Sequence, residues 1–377
     1  MRRRIIENNA MSFEFKLKNT SYSPKHTLII AELGTSHNGD IIKAQEMVAA
    51  AAEAGADCIK TQIVYADEIL HPNTGFVPLP GGDIKLYDVF KKLEVPTDFY
   101  ARIKESTEAQ GLLFLATPFG EKSADELFSL SPDFVKIASP ELNYVQLLQK
   151  IALKNIPVLL SSGVSKLSDI ENALRYFDKK KVCLLHCVTA YPAPEDDYNI
   201  NLLRNLSGIF GVSVGLSDHS LDPVLVPLLA VSCGAVMIEK HFCLSRRGGG
   251  LDDPVALVPQ DFARMSAFIR VAEAQSSEAI IEMAKTLFGR EKVDSVLGDG
   301  IKSLSRSEKE NYQRTNRSIH ALREIEKGEL FTMSNIGVLR TEKILRPGLH
   351  PSFFEQILGR AAGKTIPSGE GVRFEDI

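Results

Sequence analysis

The sequence predicts an α/β protein with a (β/α)8 TIM barrel followed by a small β-rich domain. Eight short apolar runs recur before residue 243, each about as long as a buried strand, and helix-like segments separate them. The runs are continuous rather than alternating, which is typical of parallel strands covered on both faces. Eight units are the number that closes a barrel of about 250 residues. A doubly wound sheet is the alternative, and the regular eightfold repeat favours the barrel.

The eight predicted strands lie in the runs TLIIAE, DCIKTQ, LLFLATP, FVKIAS, PVLLSSG, KVCLLHCV, VSVGLSD and AVMIEKHF. Between the first two, IIKAQEMVAAAAEAG is rich in alanine and predicts a helix that stops at Gly55. PTDFYARIKESTEAQG predicts a second helix of this kind, with Gly111 as its stop.

The pattern changes near residue 285, where a polar, charged stretch with several glycines begins. We therefore predict a barrel domain over residues 1–285, a linker or irregular connection over 286–312 and a separate domain over 313–377. The last part consists of short segments broken by Gly and Pro, so no long amphipathic helix is expected there.

The bulk composition excludes several classes of protein. The net charge of -4 gives no global positive field, so nucleic acid is not expected as a partner. No apolar run approaches the ~20 residues of a membrane span, and the start MRRRIIENNAMSF lacks the apolar stretch of a secretory leader. The five cysteines are odd in number and lie mostly in apolar runs, which favours reduced thiols in the cytoplasm. The run CLLHC lacks the paired spacing of a structural zinc site.

Barrel enzymes place their chemistry at the carboxyl ends of the strands. In this sequence every predicted strand ends in ionisable or hydroxyl side chains, and core packing does not explain so many buried polar groups. The strand-end residues are Glu32, Lys60, Gln62, Thr117, Lys136, Ser139, Glu141, Ser161, Ser162, His186, Thr189, Tyr191, Ser217, Asp218, His219, Glu239, Lys240 and His241.

Two histidines end adjacent strands and are expected to converge. His219 follows the seventh strand and His241 ends the eighth, with Glu239 and Asp218 nearby. Mixed nitrogen and oxygen ligands suit Mn²⁺ or a related divalent ion better than a closed zinc site, with Mg²⁺ and Co²⁺ as the other candidates. The alternative is that the two histidines act as general acids or bases without a metal.

A cationic, hydroxyl-rich group is expected beside them. Two lysines inside apolar strands are unusual for surface charges, and with neighbouring hydroxyls they would bind a phosphorylated anion. The members of this group are Lys60, Lys136, Thr117, Ser139, Ser161 and Ser217. Glu32 and Glu141 are two carboxylates available for proton transfer or for binding sugar hydroxyls.

The order of these motifs resembles a known family. AELGTSHNGD, KTQ, ATPF, KIASPEL, LLSSG, LLHCVTAYPAP, GLSDHS and IEKHF occur in the order found in the sialic acid synthases and their legionaminate, pseudaminate and spore-coat-polysaccharide relatives. The run RPGLHPSFFEQILGRAAGKTIPSGEGV resembles their C-terminal antifreeze-like domain, a β-clip fold. The resemblance extends from about residue 26 to the end of the sequence.

The resemblance implies a reaction and a role for each position. Such enzymes condense phosphoenolpyruvate with an open-chain N-acylated mannosamine-type sugar, giving a nine-carbon 2-keto acid and phosphate. It implies a metal, commonly Mn²⁺, on His219 and His241 with Glu239 nearby, and the phosphoenolpyruvate on the lysine and hydroxyl group above. Glu32 would transfer a proton or position water, and Glu141 would bind the sugar hydroxyls. The substrate contacts would also include Gln62, Thr189, Tyr191, Asp252 and Arg317.

The resemblance also implies a domain-swapped homodimer, in which the small domain of one chain covers the barrel of the other.

The departures from the family pattern lie at positions that, by the resemblance, would contact the sugar. Thr189 replaces an Asn, Pro140 replaces a Gly, the loop at Asp252 reads LDDPVAL, and TNRS replaces a double arginine. We therefore expect an acceptor other than N-acetylmannosamine.

Two other functions are consistent with the residues. A metal-dependent aldolase would act on pyruvate, release no phosphate and not need the lysine and hydroxyl group. A sugar-binding relative without catalysis is disfavoured because none of the predicted ligand positions carries an inert residue.

Overall fold

The computed structural model describes residues 14–79 and 82–377. The strands in chain order are β1 (Phe15–Leu17), β2 (Thr20–Tyr22), β3 (Leu28–Gly34), β4 (Cys58–Ile63), β5 (Phe76–Leu79), β6 (Gly82–Lys85), β7 (Leu113–Pro118), β8 (Val135–Ile137), β9 (Val158–Ser161), β10 (Val182–Cys187), β11 (Ser213–Asp218), β12 (Met237–His241), β13 (Arg317–Ala321) and β14 (Ile336–Arg340). The first thirteen residues of the predicted barrel domain, including the polar start of the sequence, lie outside the described residues.

Eight of these strands form one parallel sheet in the order β7-β4-β3-β12-β11-β10-β9-β8. The two end strands β7 and β8 lie beside each other, so the sheet is a nearly closed barrel. Every residue of β3, β10, β11 and β12 is buried. The predicted barrel is confirmed, and full burial explains why its strands are continuous apolar runs rather than alternating ones.

The helices are α1 (Ile41–Glu53), α2 (Ala66–Ile69), α3 (Leu86–Lys92), α4 (Thr97–Ala109), α5 (Glu121–Ser129), α6 (Val145–Ala152), α7 (Leu167–Leu174), α8 (Leu202–Phe210), α9 (Leu225–Ser232), α10 (Pro259–Ala272), α11 (Ser277–Phe288), α12 (Arg290–Leu297) and α13 (Phe354–Ile357). The side chain of Asp40 caps the start of α1 by accepting hydrogen bonds from two backbone N–H groups. After α1 and α4 the chain turns at Gly55 and Gly111, whose φ angles are 88° and 73°. Only glycine adopts such angles freely, which is why the two helices stop there. None of the described helices is long and apolar enough to cross a membrane.

The hairpin of β1 and β2 packs against the amino-terminal end of the barrel. Phe15, Leu17 and Tyr22 join an apolar cluster with strand residues such as Leu28 and Leu115. One end of the barrel is thereby filled by hydrocarbon. The polar side chains that follow the strands lie at the opposite, carboxyl end of the barrel.

The connection to the second domain is more ordered than predicted. Helix α12 lies inside the stretch 286–312 that the sequence analysis treated as irregular, because Val293 and Val296 pack into the core. Residues 298–316 then run without helix or strand to β13. The C-terminal domain contains the antiparallel pair β13 and β14, several isolated bridges and a small apolar core that includes Ile319 and Phe331.

Candidate active site

A cavity opens at the carboxyl ends of the barrel strands. The predicted site residues that line it are Lys60, Gln62, Thr117, Lys136, Ser139, Ser161, Thr189, Tyr191, Ser217, His219, Glu239, His241 and Asp252. The predicted substrate-binding or catalytic residues that do not line it are Glu32, Glu141 and Arg317, and the strand-end residues Ser162, His186, Asp218 and Lys240 do not line it either. The cavity is therefore lined by most, but not all, of the strand-end residues that the barrel prediction brought together.

Two buried lysines and a buried glutamate lie at one end of the cavity. The Nζ atoms of Lys60 and Lys136 lie 3.6 and 3.5 Å from Oε1 of Glu239, and Ser217 donates a hydrogen bond of 3.0 Å to the same oxygen. Burial lowers the pKa of Lys60 to about 8. Burial alone would raise the pKa of Glu239, but the two lysines outweigh it and hold the pKa below its usual value. We call Lys60, Lys136, Glu239 and Ser217 the charged end of the cavity.

Glu32 lies behind this group rather than in the cavity. Its carboxylate is fully buried and contacts the ammonium group of Lys60. Its Oε1 accepts a hydrogen bond of 3.3 Å from Gln62, which does line the cavity. Gly34, with a φ of 53°, lies against Asp252: a Cβ at this position would lie 3.2 Å from a carboxylate oxygen of Asp252. In this arrangement Glu32 orients Lys60 and Gln62.

The two histidines lie next to each other on the same wall. The ring centroids of His219 and His241 are 5.4 Å apart, and the ring of Tyr191 stacks on His219 at 4.2 Å. Nδ1 of His219 donates to the carbonyl of Val188 at 2.8 Å, which leaves Nε2 as the ring atom available to a ligand. Burial, with the nearby His219 and Lys60, lowers the pKa of His241 well below its usual value. His241 is therefore a neutral imidazole, the form that binds metals.

The residues fit a divalent ion in part. Oε2 of Glu239 is buried and has no hydrogen-bond partner, and Nδ1 of His241 lies 3.9 Å from a carboxylate oxygen of Asp252. Within residues 14–79 and 82–377, however, no three His, Cys, Asp or Glu side chains are already gathered as a ligand set. The two imidazoles and the unpaired carboxylate oxygen nevertheless match the mixed nitrogen and oxygen donors that Mn²⁺ and related ions accept.

Asp218 does not belong to this set. It pairs with Lys240, its neighbour across β11 and β12, at 2.6 Å, and both side chains are fully buried. His186 is likewise occupied, because its ring contacts the carbonyl of Tyr198 in the interior. Among the polar residues of GLSDHS, Ser217 and His219 thus line the cavity, whereas Asp218 joins two strands through Lys240.

Glu141 and Arg317 bind each other instead of facing the cavity. Oε1 of Glu141 accepts hydrogen bonds from Nε of Arg317 at 3.0 Å and from Nη2 of Arg340 at 2.7 Å. Arg317 also donates to the carbonyl of Phe119 at 2.5 Å, and its side chain is fully buried. Arg340 lines the cavity, whereas Arg317 does not.

Arg340 is a site residue that the sequence analysis missed. It lies opposite Arg317 in the ladder of β13 and β14. Its strand belongs to the C-terminal domain and not to the barrel, so the strand-end rule could not find it. Arg340 reaches the cavity only because the C-terminal domain packs against the barrel. Thr315, Glu342 and Lys343 from the same part of the chain also line the cavity.

The far end of the cavity is apolar, which was also not predicted. Its walls come mainly from the segment between β4 and β7, which carries the β5–β6 hairpin and α3. The apolar lining residues are Val64, Val77, Leu86, Phe90, Leu93, Phe119, Ala138, Pro140 and Leu251. We call this region, together with Arg340 and Thr189, the apolar end of the cavity.

Comparison with known proteins agrees with this architecture. The model of the NeuB family matches residues 47–280, and that of the SAF domain matches residues 316–377. The chain belongs to the NeuB family. The resemblance to the sialic acid synthases is thereby confirmed, and so is the presence of the second domain.

Several named relatives cover almost the whole chain. The spore coat polysaccharide biosynthesis protein SpsE of Bacillus subtilis is 34% identical over 93% of both chains. The N,N'-diacetyllegionaminic acid synthase of Campylobacter jejuni is 32% identical over 93% of this chain and 99% of its own length. The pseudaminic acid synthase of Helicobacter pylori is also 32% identical, over 93% and 97%. This similarity places the protein in the general class of nonulosonic acid synthases.

Two solved structures extend the comparison. The crystal structure of Bacillus subtilis SpsE matches with a TM-score of 0.80 at 33% identity, over 97% of this chain and 99% of the other. The N-acetylneuraminic acid synthetase of Leptospira borgpetersenii matches with a TM-score of 0.64 at 30% identity, over 74% of this chain and 98% of the other.

Proposed function

We propose that the protein condenses phosphoenolpyruvate with an open-chain N-acylated mannosamine-type sugar, giving a nine-carbon 2-keto acid and phosphate, in the cytoplasm. The observation that carries the proposal is the convergence of two buried lysines, Glu239 and two histidines at one end of the cavity. We assign the apolar end of the same cavity to the sugar and call it the acceptor end. The named synthases among the relatives support the same reaction class.

Charge balance supports a metal in this reaction. The positive charges of Lys60 and Lys136 are already offset by Glu32 and Glu239. Phosphoenolpyruvate carries up to three negative charges, so binding it in this buried site requires further positive charge. A divalent ion on His219 and His241, with Glu239 directly or through water, would supply that charge. When bound, it would act as a Lewis acid on the sugar aldehyde, with Mn²⁺ expected ahead of Mg²⁺ or Co²⁺.

The bonds made and broken follow from the two substrates. C3 of phosphoenolpyruvate attacks the aldehyde carbon, a new C–C bond forms, and the aldehyde oxygen takes a proton. Water adds at C2 and loses one proton. The resulting tetrahedral centre then breaks its C2–O bond to phosphate while its hydroxyl gives up the second proton to the departing phosphate, which leaves the keto group. We assign the anion to Lys60, Lys136 and the neighbouring hydroxyls. Gln62, bonded to Glu32, would hold the water.

The acceptor end favours a sugar with apolar substituents. A 2,4-diacetamido-2,4,6-trideoxy hexose carries a methyl group and a second acetamido methyl where N-acetylmannosamine has hydroxyls. An apolar wall rejects hydroxyls by leaving them without hydrogen bonds. We therefore propose a trideoxy-diacetamido hexose as the acceptor, in keeping with the altered Thr189, Pro140 and Asp252 loop.

The test is phosphate release from phosphoenolpyruvate with Mn²⁺ and a panel of N-acyl hexoses. We expect release only when a sugar is present, fastest with the trideoxy-diacetamido hexoses. Equal turnover of N-acetylmannosamine would contradict the acceptor assignment. A reaction that runs from pyruvate without phosphate would instead establish the aldolase.

We infer a domain-swapped homodimer from the family resemblance, although in this single chain the C-terminal domain contacts its own barrel through Glu141, Arg317 and Arg340. Mixing Lys136→Met chains with Arg340→Ala chains, at a low sugar concentration where both variants are impaired, would give more activity than the sum of the two if domains are exchanged. Without exchange the mixture would show only that sum.

A further inference from the structure

Glu308 is a buried carboxylate in a segment of polar sequence. It lies between α12 and β13, where its neighbours Lys309 and Glu310 are exposed, yet only 1% of its own surface is exposed. A glutamate is rarely buried so completely unless its oxygens are satisfied by donors.

Three backbone N–H groups satisfy it. Oε1 accepts from the N–H of Val164 at 2.7 Å and from that of Thr189 at 2.9 Å. Oε2 accepts from the N–H of Ser305 at 3.2 Å. Val164 lies in the loop after β9 and Thr189 in the loop after β10. One oxygen atom of the linker therefore joins the loop that directly follows Ser161 to the loop that carries Thr189, and both of these residues line the cavity.

A third loop is packed against the same point. Gly163 donates its N–H to Oγ of Ser139, in the loop after β8, at 3.0 Å. A Cβ added at Gly163 would lie 2.1 Å from Oγ1 of Thr189, 2.8 Å from Oγ of Ser139 and 3.2 Å from Oε1 of Glu308. Ser139 and Thr189 both line the cavity, whereas Glu308 does not. A small movement of Glu308 must therefore move groups that face the substrates.

We propose that Glu308 is a positioning residue, which from outside the barrel holds the side chains of Thr189 and Ser139 in the positions required for substrate binding. The inference rests on the proposed function, which gives these two side chains their ligands. Glu308 also connects the cavity, through these hydrogen bonds, to the segment that leads to the C-terminal domain. Asn316 in that segment donates to the carbonyl of Val164 at 3.1 Å. The segment therefore binds the β9 loop at two points, through Glu308 and through Asn316.

The test compares Glu308→Ala and Glu308→Gln with Glu310→Ala, the exposed neighbour, as the control. The glutamine carbonyl can accept from both Val164 and Thr189 as Oε1 does, whereas alanine leaves both N–H groups buried without a partner. Misplacement by about 1 Å can cost about 10²-fold in rate. We expect the alanine variant to raise KM for both substrates and lower kcat/KM at least about tenfold. The glutamine variant should stay within about threefold of wild type.

Amide hydrogen exchange gives a readout that does not depend on activity. In Glu308→Ala the amides of Val164 and Thr189 should exchange at least about tenfold faster, while Glu308→Gln and Glu310→Ala keep the wild-type rates. If the wild-type protein releases no phosphate with any sugar, the proposed function fails and the exchange rates still decide the positioning role.

Two outcomes would overturn the inference. The first is unchanged exchange at both amides in the alanine variant. The second is a glutamine variant as impaired as the alanine variant, which would show that the hydrogen bonds to Val164 and Thr189, which glutamine keeps, are not what the site requires.

Discussion

The two ends of the cavity are built in different ways. The charged end consists of side chains at the carboxyl ends of barrel strands, each placed by a strand whose ladder fixes its direction. The acceptor end is assembled from the β4–β7 segment, the loops after β8 and β10, and Arg340 of the C-terminal domain. Under the proposed function, the barrel strands would carry the groups for phosphoenolpyruvate and the metal, and the loops and the C-terminal domain would carry those for the sugar. The proposal therefore predicts that the chemistry and the choice of acceptor can be altered independently.

The largest expected effect is at the charged end. Lys136→Met should lower kcat/KM for phosphoenolpyruvate about 10²- to 10³-fold, because it removes one of the two buried charges to which we assign the anion. The matched control is Lys16→Met on the exposed side of β1. Steady-state kinetics with both substrates varied will measure the change. A Lys136→Met enzyme within threefold of wild type would remove the charged end from the account.

The two arginines that share Glu141 should behave differently. Arg317→Met should lower the free energy of unfolding by about 3 kcal/mol, because the side chain is fully buried between the domains. Arg340→Met should mainly raise KM for the sugar, about tenfold, because Arg340 lines the cavity. Denaturant unfolding and acceptor kinetics on both variants separate the two roles. A reversal of the pattern would return the sugar contact to Arg317.

The apolar wall should set the choice of acceptor. Phe90→Asn is expected to shift the ratio of kcat/KM between trideoxy-diacetamido hexoses and N-acetylmannosamine about tenfold toward the latter. Phe76→Asn, at a residue that is 54% exposed, is the control. Competition between the two sugars measures the ratio directly. An unchanged ratio would mean that the polar contacts alone select the sugar.

The smallest effect concerns acid stability in the C-terminal domain. Burial lowers the pKa of His320 to about 4, against an ordinary value of 6.5. Between these pH values the unfolded chain binds more protons, so His320 contributes stability that is present above pH 6.5 and is lost as the pH falls toward 4. At pH 5.5 the loss should be about 1 kcal/mol relative to pH 7.5.

Chemical unfolding at the two pH values tests this, with His320→Gln expected to reduce the pH dependence. The exposed His26 provides the control. If His26→Gln and His320→Gln changed the pH dependence equally, burial of His320 would not be its cause.

The sequence predicted the barrel and most of the charged end because both depend on local patterns. A parallel strand reveals itself as an apolar run, and its last residues must face the carboxyl end of the barrel. Lys60, Lys136, His219 and His241 lie where that rule places them.

What could not be predicted depends on contacts between distant segments. Glu141 lies just after a strand end, as Ser139 does, yet it is bound by Arg317 and Arg340, which come much later in the sequence. The hydrogen bonds of Glu308 to two loops likewise exist only once the linker lies over the barrel. Asp218 shows the reverse case, in which a conspicuous polar residue at a strand end only ties two strands together.

The most direct test of the account is the fate of the bridging oxygen of phosphoenolpyruvate. The protein, loaded with Mn²⁺, would be given phosphoenolpyruvate labelled with ¹⁸O between C2 and phosphorus, with and without a trideoxy-diacetamido hexose. The account predicts ¹⁸O in the released phosphate, seen by its ³¹P isotope shift, only when sugar is present and not with His219→Ala. Unlabelled phosphate, or release that does not depend on the sugar, would contradict it.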